Sequence, residues 1–149
     1  MPRKMTERER EAFLAEPRVG VVSVASDDNR PPLTVPLWYS YQPGGDITFF
    51  TGTQGRAARK TRLIEQAGVL SLSVQHADFP YQYVTVECSV AGADRPPSAD
   101  QMLAVVRRYL PEDMAQGFVD AELANPGPDL VLFTARPDRW LTADFSDDA

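Results

Sequence analysis

The sequence has few of the residues from which disulfides and metal centres are built. Its 149 residues include one cysteine, Cys88, and one histidine, His76. A single cysteine cannot form an internal disulfide or a thiolate zinc site. A single histidine excludes the common multi-histidine metal sites and argues against a Ser-His-Asp triad. We therefore expect no metal centre, and the sequence identifies no catalytic side chain.

Long apolar runs and an excess of basic residues are also missing. No apolar stretch approaches the roughly 18 residues that indicate a transmembrane helix. Residues 1–10 are charged and lack the apolar core of a signal peptide. We therefore expect a cytoplasmic protein with no membrane partner. The net charge of −6, from 15 Lys and Arg against 21 Asp and Glu, disfavours nucleic acid as a partner.

The length suits one domain over residues 1–149. Hydrophobic residues make up 43% of the chain and charged residues 24%, which is ordinary globular composition. Residues 1–16 contain a capping-box pattern, Thr6 to Glu9, and predict an N-terminal helix. Residues 98–124 predict a helical insertion, and residues 145–149 a frayed tail.

Valine-rich and alternating segments predict about seven strands, most of them consecutive. These strands cover residues 18–25, 32–41, 47–53, 69–75, 81–90, 130–134 and 140–144. Tight turns join the first three, which we expect to form a meander. The pattern predicts a mainly β fold, an antiparallel barrel with peripheral helices. No Gly-x-Gly-x-x-Gly or Walker motif supports a Rossmann or P-loop fold.

The strongest local signal is a group of cations at the start of a predicted helix, residues 55–67. The cations are Arg56, Arg59, Lys60 and Arg62. Cations are unfavourable beside the positive end of a helix dipole. A bound phosphate reverses this penalty, because it accepts hydrogen bonds from both the free backbone N–H groups and the cations. Thr51 and Thr53 are possible hydroxyl donors. The alternative is a solvated helix face.

A second signal is a proline inside a predicted strand. Pro36 removes a hydrogen-bond donor, so its strand lies at a sheet edge or is interrupted there. The backbone groups exposed in this way are able to bind the rim of a heteroaromatic ring. The alternative is an edge strand protected against aggregation. Trp38, taken alone, favours core packing over a ligand platform.

In their order along the chain, these pieces resemble the pyridoxamine 5′-phosphate oxidase-like superfamily, the FMN-binding split barrels, which include a branch using the deazaflavin coenzyme F-420. The matching segments are residues 18–24, 29–31, 35–39, 49–52, 59–63, 71–75, 83–87 and 136–142. They span nearly the whole chain. The resemblance implies a homodimeric split β-barrel of the FMN-binding type, with two cofactor sites at the interface.

The resemblance also implies which residues bind the cofactor. They are Val35, Pro36, Leu37, Trp38, Thr51, Gly52, Arg56, Arg59, Lys60, Gln75 and Trp140. The first four lie along the isoalloxazine ring, largely through main chain. Positions 51, 59 and 60 hold the phosphate, with position 56 as a nearby third cation. Gln75 reaches the cofactor, often across the dimer, and Trp140 lies near the ring of the other subunit.

The chain departs from the family in two places. Residues 54–60 are longer than the usual Gly-Ser-Arg-Lys segment, which leaves open which cations reach the phosphate. The C-terminal Arg-x-His substrate motif is missing from residues 139–144, so oxidation of pyridoxamine phosphate itself is not expected.

The function that follows from the resemblance is a flavin- or deazaflavin-dependent oxidoreductase, with hydride transfer to or from a small organic substrate. A non-enzymatic flavin carrier, sensor or electron-transfer protein is the alternative, and a degenerate site that serves only dimerisation is a third. FMN ranks slightly ahead of coenzyme F-420, whose acidic tail needs an open and preferably basic exit. Candidates for that exit are Arg56, Arg62, Arg107 and Arg108.

Overall fold

The computed structural model describes residues 2–52, 58–128 and 130–146. Within those ranges the chain forms four helices and six strands. In order they are α1 (Glu7–Ala15), β1 (Gly20–Val24), β2 (Leu33–Leu37), β3 (Ile47–Thr51), α2 (Ala58–Ala67), β4 (Val69–His76), β5 (Gln82–Asp94), α3 (Ala99–Val106), α4 (Glu112–Ala124) and β6 (Val131–Asp144). The predicted tail beyond residue 146 and the loop 53–57 lie outside the described residues.

The strands form one sheet in the order β2-β1-β4-β5-β6-β3, and every pair in it is antiparallel. The two ends of the sheet approach each other just beyond β2. There Ser40 and Thr48 exchange backbone hydrogen bonds of 2.8 and 3.0 Å. The sheet therefore curls into a split barrel with helices at its periphery, which confirms the predicted fold class.

The expected meander of the first three strands is wrong. Only β1 and β2 form a hairpin, whereas β3 pairs along its whole length with β6. Pairing with β6 places Phe49 opposite Phe133 inside the barrel, with ring centroids 5.7 Å apart. Burial of two aromatic rings stabilises this long-range pairing more than a local turn would.

The expected count of seven strands is also wrong, because residues 130–134 and 140–144 belong to one strand, β6. Pro137 lies within it and would ordinarily interrupt the ladder. The register shifts at this point, since Glu87 is opposite Arg139 and Cys88 is opposite Pro137. The extra residue, Asp138, forms a bulge, which is where a sheet tolerates proline.

Helix α1 closes one end of the barrel. The predicted capping box is present, with the Glu9 backbone N–H donating to Thr6 and the Thr6 backbone N–H donating to Glu9. Phe13 and Leu14 of this helix are buried in the barrel core. The barrel core is the cluster of apolar side chains on the inner face of the sheet.

Helices α3 and α4 form the predicted helical insertion, and they build a second apolar cluster outside the barrel. Its buried members are Met102, Leu103, Val106, Ala115, Val119 and Leu130. We call this cluster the hairpin core. Trp38 and Phe50 pack against it from the barrel side, so the insertion covers the region where β2 ends and β3 runs.

Candidate functional site

A pocket of about 150 Å³ lies where the end of β3, the start of α2 and the helical insertion meet. Its lining residues are Trp38, Phe50, Thr51, Gly52, Lys60 and Phe118. Four of these belong to the predicted cofactor-binding set: Trp38, Thr51, Gly52 and Lys60. The structure therefore places these four residues, which lie between positions 38 and 60 of the sequence, around one cavity.

Among the described residues, Lys60 is the only cation that lines this pocket. Its side chain is half-buried, and burial lowers the pKa of its ammonium group. Lys60 has no carboxylate within ion-pair distance among the described residues. A desolvated cation without an anionic partner is unfavourable, and an anionic ligand would remove the penalty.

Arg59 and Arg62, by contrast, face the turn between β1 and β2. The Nη2 of Arg59 donates a hydrogen bond of 2.5 Å to Ser26 Oγ, and Arg62 forms an ion pair with Asp27. The Arg62 hydrogen bond holds the pKa of the Asp27 carboxyl below its usual value. Arg56, the third predicted cation, lies outside the described residues.

The side chains of Arg59 and Lys60 therefore diverge. Ser26 lies beyond the Val24–Leu33 end of the β1–β2 ladder, whereas Trp38 follows Leu37 at the opposite end. The described members of the predicted cation cluster are thus divided between two places, and of these only the Lys60 side chain lines the pocket.

Thr51 is placed differently from the sequence-based expectation of a hydroxyl donor. Its Oγ1 lies 2.6 Å from Thr61 Oγ1, and both residues are only 2% exposed. The hydroxyl contacts Thr61 inside the protein while Thr51 also lines the pocket, and its predicted contact with a phosphate stays a prediction. Gly52 follows with a φ of 115°, a conformation that L side chains avoid.

The predicted ring-binding segment lies on β2, the terminal strand of the sheet order. Pro36 is exposed there opposite Val21, as expected for a proline on an edge strand. Val35 and Leu37 are half-buried. Among the described residues no strand pairs with the outer edge of β2, so its free backbone groups remain available for hydrogen bonding.

Trp38 packs between protein rings. One face stacks on Tyr109, with centroids 4.9 Å apart and planes 6° apart, and Phe118 lies 6.4 Å away. The Tyr109 hydroxyl donates to the Arg18 carbonyl at 2.7 Å, which fixes the stack to the barrel. The ring packs against the hairpin core and also lines the pocket, so the predicted contact of Trp38 with a cofactor stays a prediction.

Gln75 and Trp140 do not reach this pocket within one chain. Gln75 is exposed at the end of β4, where its Oε1 accepts a hydrogen bond of 3.1 Å from Tyr81. Trp140 lies nine residues along β6 from Val131, the partner of Thr51. Their predicted contacts to a cofactor need a second copy of the chain and stay predictions.

Sequence reasoning missed Phe50 and Phe118 as pocket residues. Alternation along β3 was visible, since Phe49 points into the barrel and Phe50 points outward. Phe118 carries no local signal for a site, because its spacing in α4 is that of any core-facing residue. Its position in the pocket depends on how the helical insertion docks.

A wider groove, of about 540 Å³, lies on the outer side of the sheet between β1, β4, β5 and β6. Its charged groups already have partners. Arg139 lies 3.7 Å from Glu87, and Asp138 accepts hydrogen bonds from Ser89 and Arg136. The smaller pocket is the better candidate ligand site, because its cation Lys60 has no carboxylate partner among the residues that the structure describes.

Two further observations concern the described parts of the chain. They contain no cluster of three or more His, Cys, Asp or Glu residues suited to a metal ion. No helix in them is both long enough and apolar enough to cross a bilayer.

Comparison with known proteins identifies the fold. No protein-family model and no curated protein sequence matches the chain. Among solved structures, an F-420 reductase is 24% identical over 88% of this chain and 94% of its own, with a TM-score of 0.65. A conserved hypothetical protein of Mycobacterium tuberculosis is 18% identical over 95% of this chain and 86% of its own, with a TM-score of 0.71. A FAD-binding protein of Mesorhizobium loti is 18% identical over 97% and 96%, with a TM-score of 0.61.

At these identities the likeness establishes the fold and not the activity. The chain has the split β-barrel fold that is also found in pyridoxamine 5′-phosphate oxidase-like proteins. The structural neighbours include proteins named for flavin and for deazaflavin chemistry. What this chain binds is a separate question, which depends on its own pocket.

Proposed function

We propose that the protein is a flavin- or deazaflavin-dependent oxidoreductase whose cofactor phosphate binds at the pocket beside Lys60. The observation that carries this proposal is the half-buried Lys60, which has no carboxylate partner among the described residues and shares a pocket with Gly52 and Thr51. The pocket lies at the start of α2, where backbone N–H groups favour anions. When bound, the cofactor would supply the hydride chemistry with a small organic substrate.

The chain's own part is to bind and orient the cofactor. The unpaired edge of β2, at Val35, Pro36 and Leu37, offers backbone donors and acceptors for the rim of a heteroaromatic ring. The end of β2 leads directly to Trp38 and so to the pocket. Gln75 is a further contact in the proposal, supplied by the partner subunit. Arg59 faces the β1–β2 turn and marks the alternative position for the phosphate.

FMN is the preferred cofactor and coenzyme F-420 the alternative. The acidic tail of the deazaflavin calls for a free basic exit, and the three described candidates for it are engaged elsewhere. Arg62 pairs with Asp27, and Arg107 lies 2.8 Å from Glu112. Arg108 donates to the Tyr41 and Glu16 carbonyls, both at 3.2 Å. These contacts support FMN.

A homodimer belongs to the same proposal. The outer face of the sheet over β2, β1, β4, β5 and β6 carries mostly apolar and small hydroxyl side chains, including Val21, Ser23, Ser71, Ser73, Thr85 and Leu141. Its charges are paired, Glu87 with Arg139 and Asp138 with Arg136. Two copies of an acidic chain are able to associate through a neutral face without like-charge repulsion. Leu141→Glu should therefore yield monomers in analytical ultracentrifugation.

The test is a titration of flavin-free protein with FMN, riboflavin and coenzyme F-420, followed by ring fluorescence at low salt. Replacement of Lys60 by Met should weaken FMN about ten- to hundredfold, since a charge-assisted hydrogen bond contributes about 1.5–3 kcal/mol. Riboflavin, which has no phosphate, should be unaffected. Lys4→Met is the matched control, because Lys4 is exposed and is the only other lysine.

The outcomes separate the readings of the site. Unchanged FMN affinity in Lys60→Met, together with a loss in Arg59→Ala, would move the phosphate to the β1–β2 turn. Binding of FMN without turnover of any nicotinamide or organic acceptor would favour the carrier or sensor function. Binding of no cofactor would point to a degenerate site.

A further inference from the structure

The pocket beside Lys60 has walls from two parts of the molecule. Five of its lining residues belong to the barrel or to α2, whereas Phe118 belongs to α4 of the helical insertion. The width of the pocket therefore depends on a side chain supplied by the insertion.

The contacts of Phe118 place it against the apolar side of the cavity. Its ring lies 6.2 Å from the ring of Phe50 and 6.4 Å from that of Trp38, tilted by 49° and 48°. Trp38 is itself stacked on Tyr109, which limits its movement. Phe118 thus completes the aromatic wall of the pocket, which it forms with Trp38 and Phe50.

The ring of Phe118 is held by the helix rather than by full burial. Its neighbours Ala115 and Val119 are buried in the hairpin core, while Phe118 itself is half-buried. Met114, one turn earlier on the same side of α4, is 55% exposed. An apolar strip formed by Met114 and Phe118 therefore runs from the pocket to the surface.

We propose that Phe118 is the size-determining residue of the pocket and restricts it to an organic phosphate monoester whose adjoining group is no wider than a single ring. The assignment of phosphate as the anion at Lys60 rests on the proposed function. A cavity of about 150 Å³ matches the volume of engineered cavities that hold one benzene molecule. A second fused ring would have to displace Phe118 from Trp38 and Phe50.

The test uses the full-length chain, free of flavin, and compares two esters by calorimetry: phenyl phosphate and 1-naphthyl phosphate. The wild type should bind the phenyl ester about ten- to hundredfold more tightly, because overpacking a formed cavity is penalised on that scale. In Phe118→Ala the ratio should fall to about threefold or less, and in Phe118→Leu it should take an intermediate value. Met114→Ala, on the same helix but outside the pocket lining, should keep the wild-type ratio.

A second readout places the ligand. The chain has two tryptophans, so Trp140→Phe leaves Trp38 as the only indole reporter. Phenyl phosphate should change the Trp38 emission in this background, and Lys60→Met should abolish the change at the same concentration. Circular dichroism of the Phe118 variants verifies that α4 is still folded.

The proposal is overturned if the ester ratio is the same in the wild type, Phe118→Ala and Phe118→Leu, or if neither ester binds. FMN binding that persists in those cases leaves the proposed function standing. Size-selective binding of the esters without any binding of flavin would instead uphold the role of Phe118 and refute the proposed function.

Discussion

The two tryptophans of the chain have contrasting surroundings, although each is half-buried and has a cation nearby. Trp140 packs against the barrel core, with the Arg10 guanidinium 4.8 Å from its ring centroid and the Tyr41 ring 6.2 Å away. Trp38 packs against the hairpin core, with a cavity between it and Lys60. The space around Trp140 is filled by protein side chains, whereas the space beside Trp38 contains a cavity.

The charges differ in the same way. At the α1 end of the barrel, Arg3 pairs with Glu9 at 2.7 Å and with Asp144 at 2.9 Å. At the pocket, Lys60 pairs with no described carboxylate. A fold maintains an incompletely packed and incompletely paired region at some cost, and such regions are typical of binding sites. Because of this contrast, we assign the ligand to the pocket between Trp38 and Lys60.

The largest expected effect concerns the barrel core, on which Trp140 rests. Phe133 is fully buried against Phe49. Phe133→Ala should lower the free energy of unfolding by about 3–5 kcal/mol, because it leaves a large cavity in a fixed sheet. Urea denaturation measures the loss, and Phe79→Ala is the control, because Phe79 is 68% exposed. A loss below about 1 kcal/mol would mean that the barrel core is not the main source of stability.

The next effect concerns the hairpin core, on which Trp38 rests. Met102 is fully buried there, and Met102→Ala should cost about 2 kcal/mol or more. The helices of the insertion contact each other more than they contact any strand, so their unfolding should precede that of the sheet. In the Trp140→Phe background, the Trp38 emission should change at a lower urea concentration than the far-ultraviolet signal of the sheet. Coincident transitions would show that the two cores unfold as one.

The barrel could be predicted from the sequence because its signals are local and repeated. The capping box of α1, the alternation in β4 and the glycine at Gly68, which adopts a φ of 69° after α2, all act within a few residues. The order of the strands could not be predicted in the same way. Pairing of β3 with β6 joins residues 80 to 88 positions apart, and nothing local to Ile47–Thr51 specifies that partner.

The candidate site was predictable in part for the same reason. Thr51, Gly52 and Lys60 stand close together in sequence, and their composition indicates an anion site. The separation of Arg59 from Lys60 follows from side-chain direction on a helix and from the position of the β1–β2 turn, which composition does not reveal. Phe118 enters the site through tertiary docking alone.

Acid should lower the stability of the protein by an intermediate amount, through two carboxyls at the α1 end of the barrel. Hydrogen bonds from Arg3 and Thr6 lower the pKa of Glu9 to about 2, and those from Ser146 and Gln82, together with the charge of Arg3, lower that of Asp144. Carboxyls with a lowered folded pKa contribute stability above their unfolded pKa values, near 4.5 and 3.8, and lose it as the pH falls further. Unfolding free energies measured from pH 7 to pH 3 should therefore decline below about pH 4.5.

The variant Arg3→Met tests the origin of that decline. Without the guanidinium, part of the acid dependence should disappear, while stability near pH 7 falls slightly. A variant with the same slope as the wild type would assign the acid dependence to other carboxyls.

The smallest expected changes in stability come from removing the cation near each tryptophan. They give a sharp test, because removing Arg10 should destabilise the protein and removing Lys60 should not. Arg10→Met should destabilise the protein by about 0.5–1 kcal/mol, since it removes a cation stacked on Trp140. Lys60→Met should leave stability within about 0.5 kcal/mol of the wild type or raise it, because it removes a charge that burial already disfavours. Thermal melting without ligand measures both. A Lys60→Met protein that melts clearly below the wild type would mean that Lys60 stabilises the fold itself, and the contrast between a filled and an open end would no longer hold.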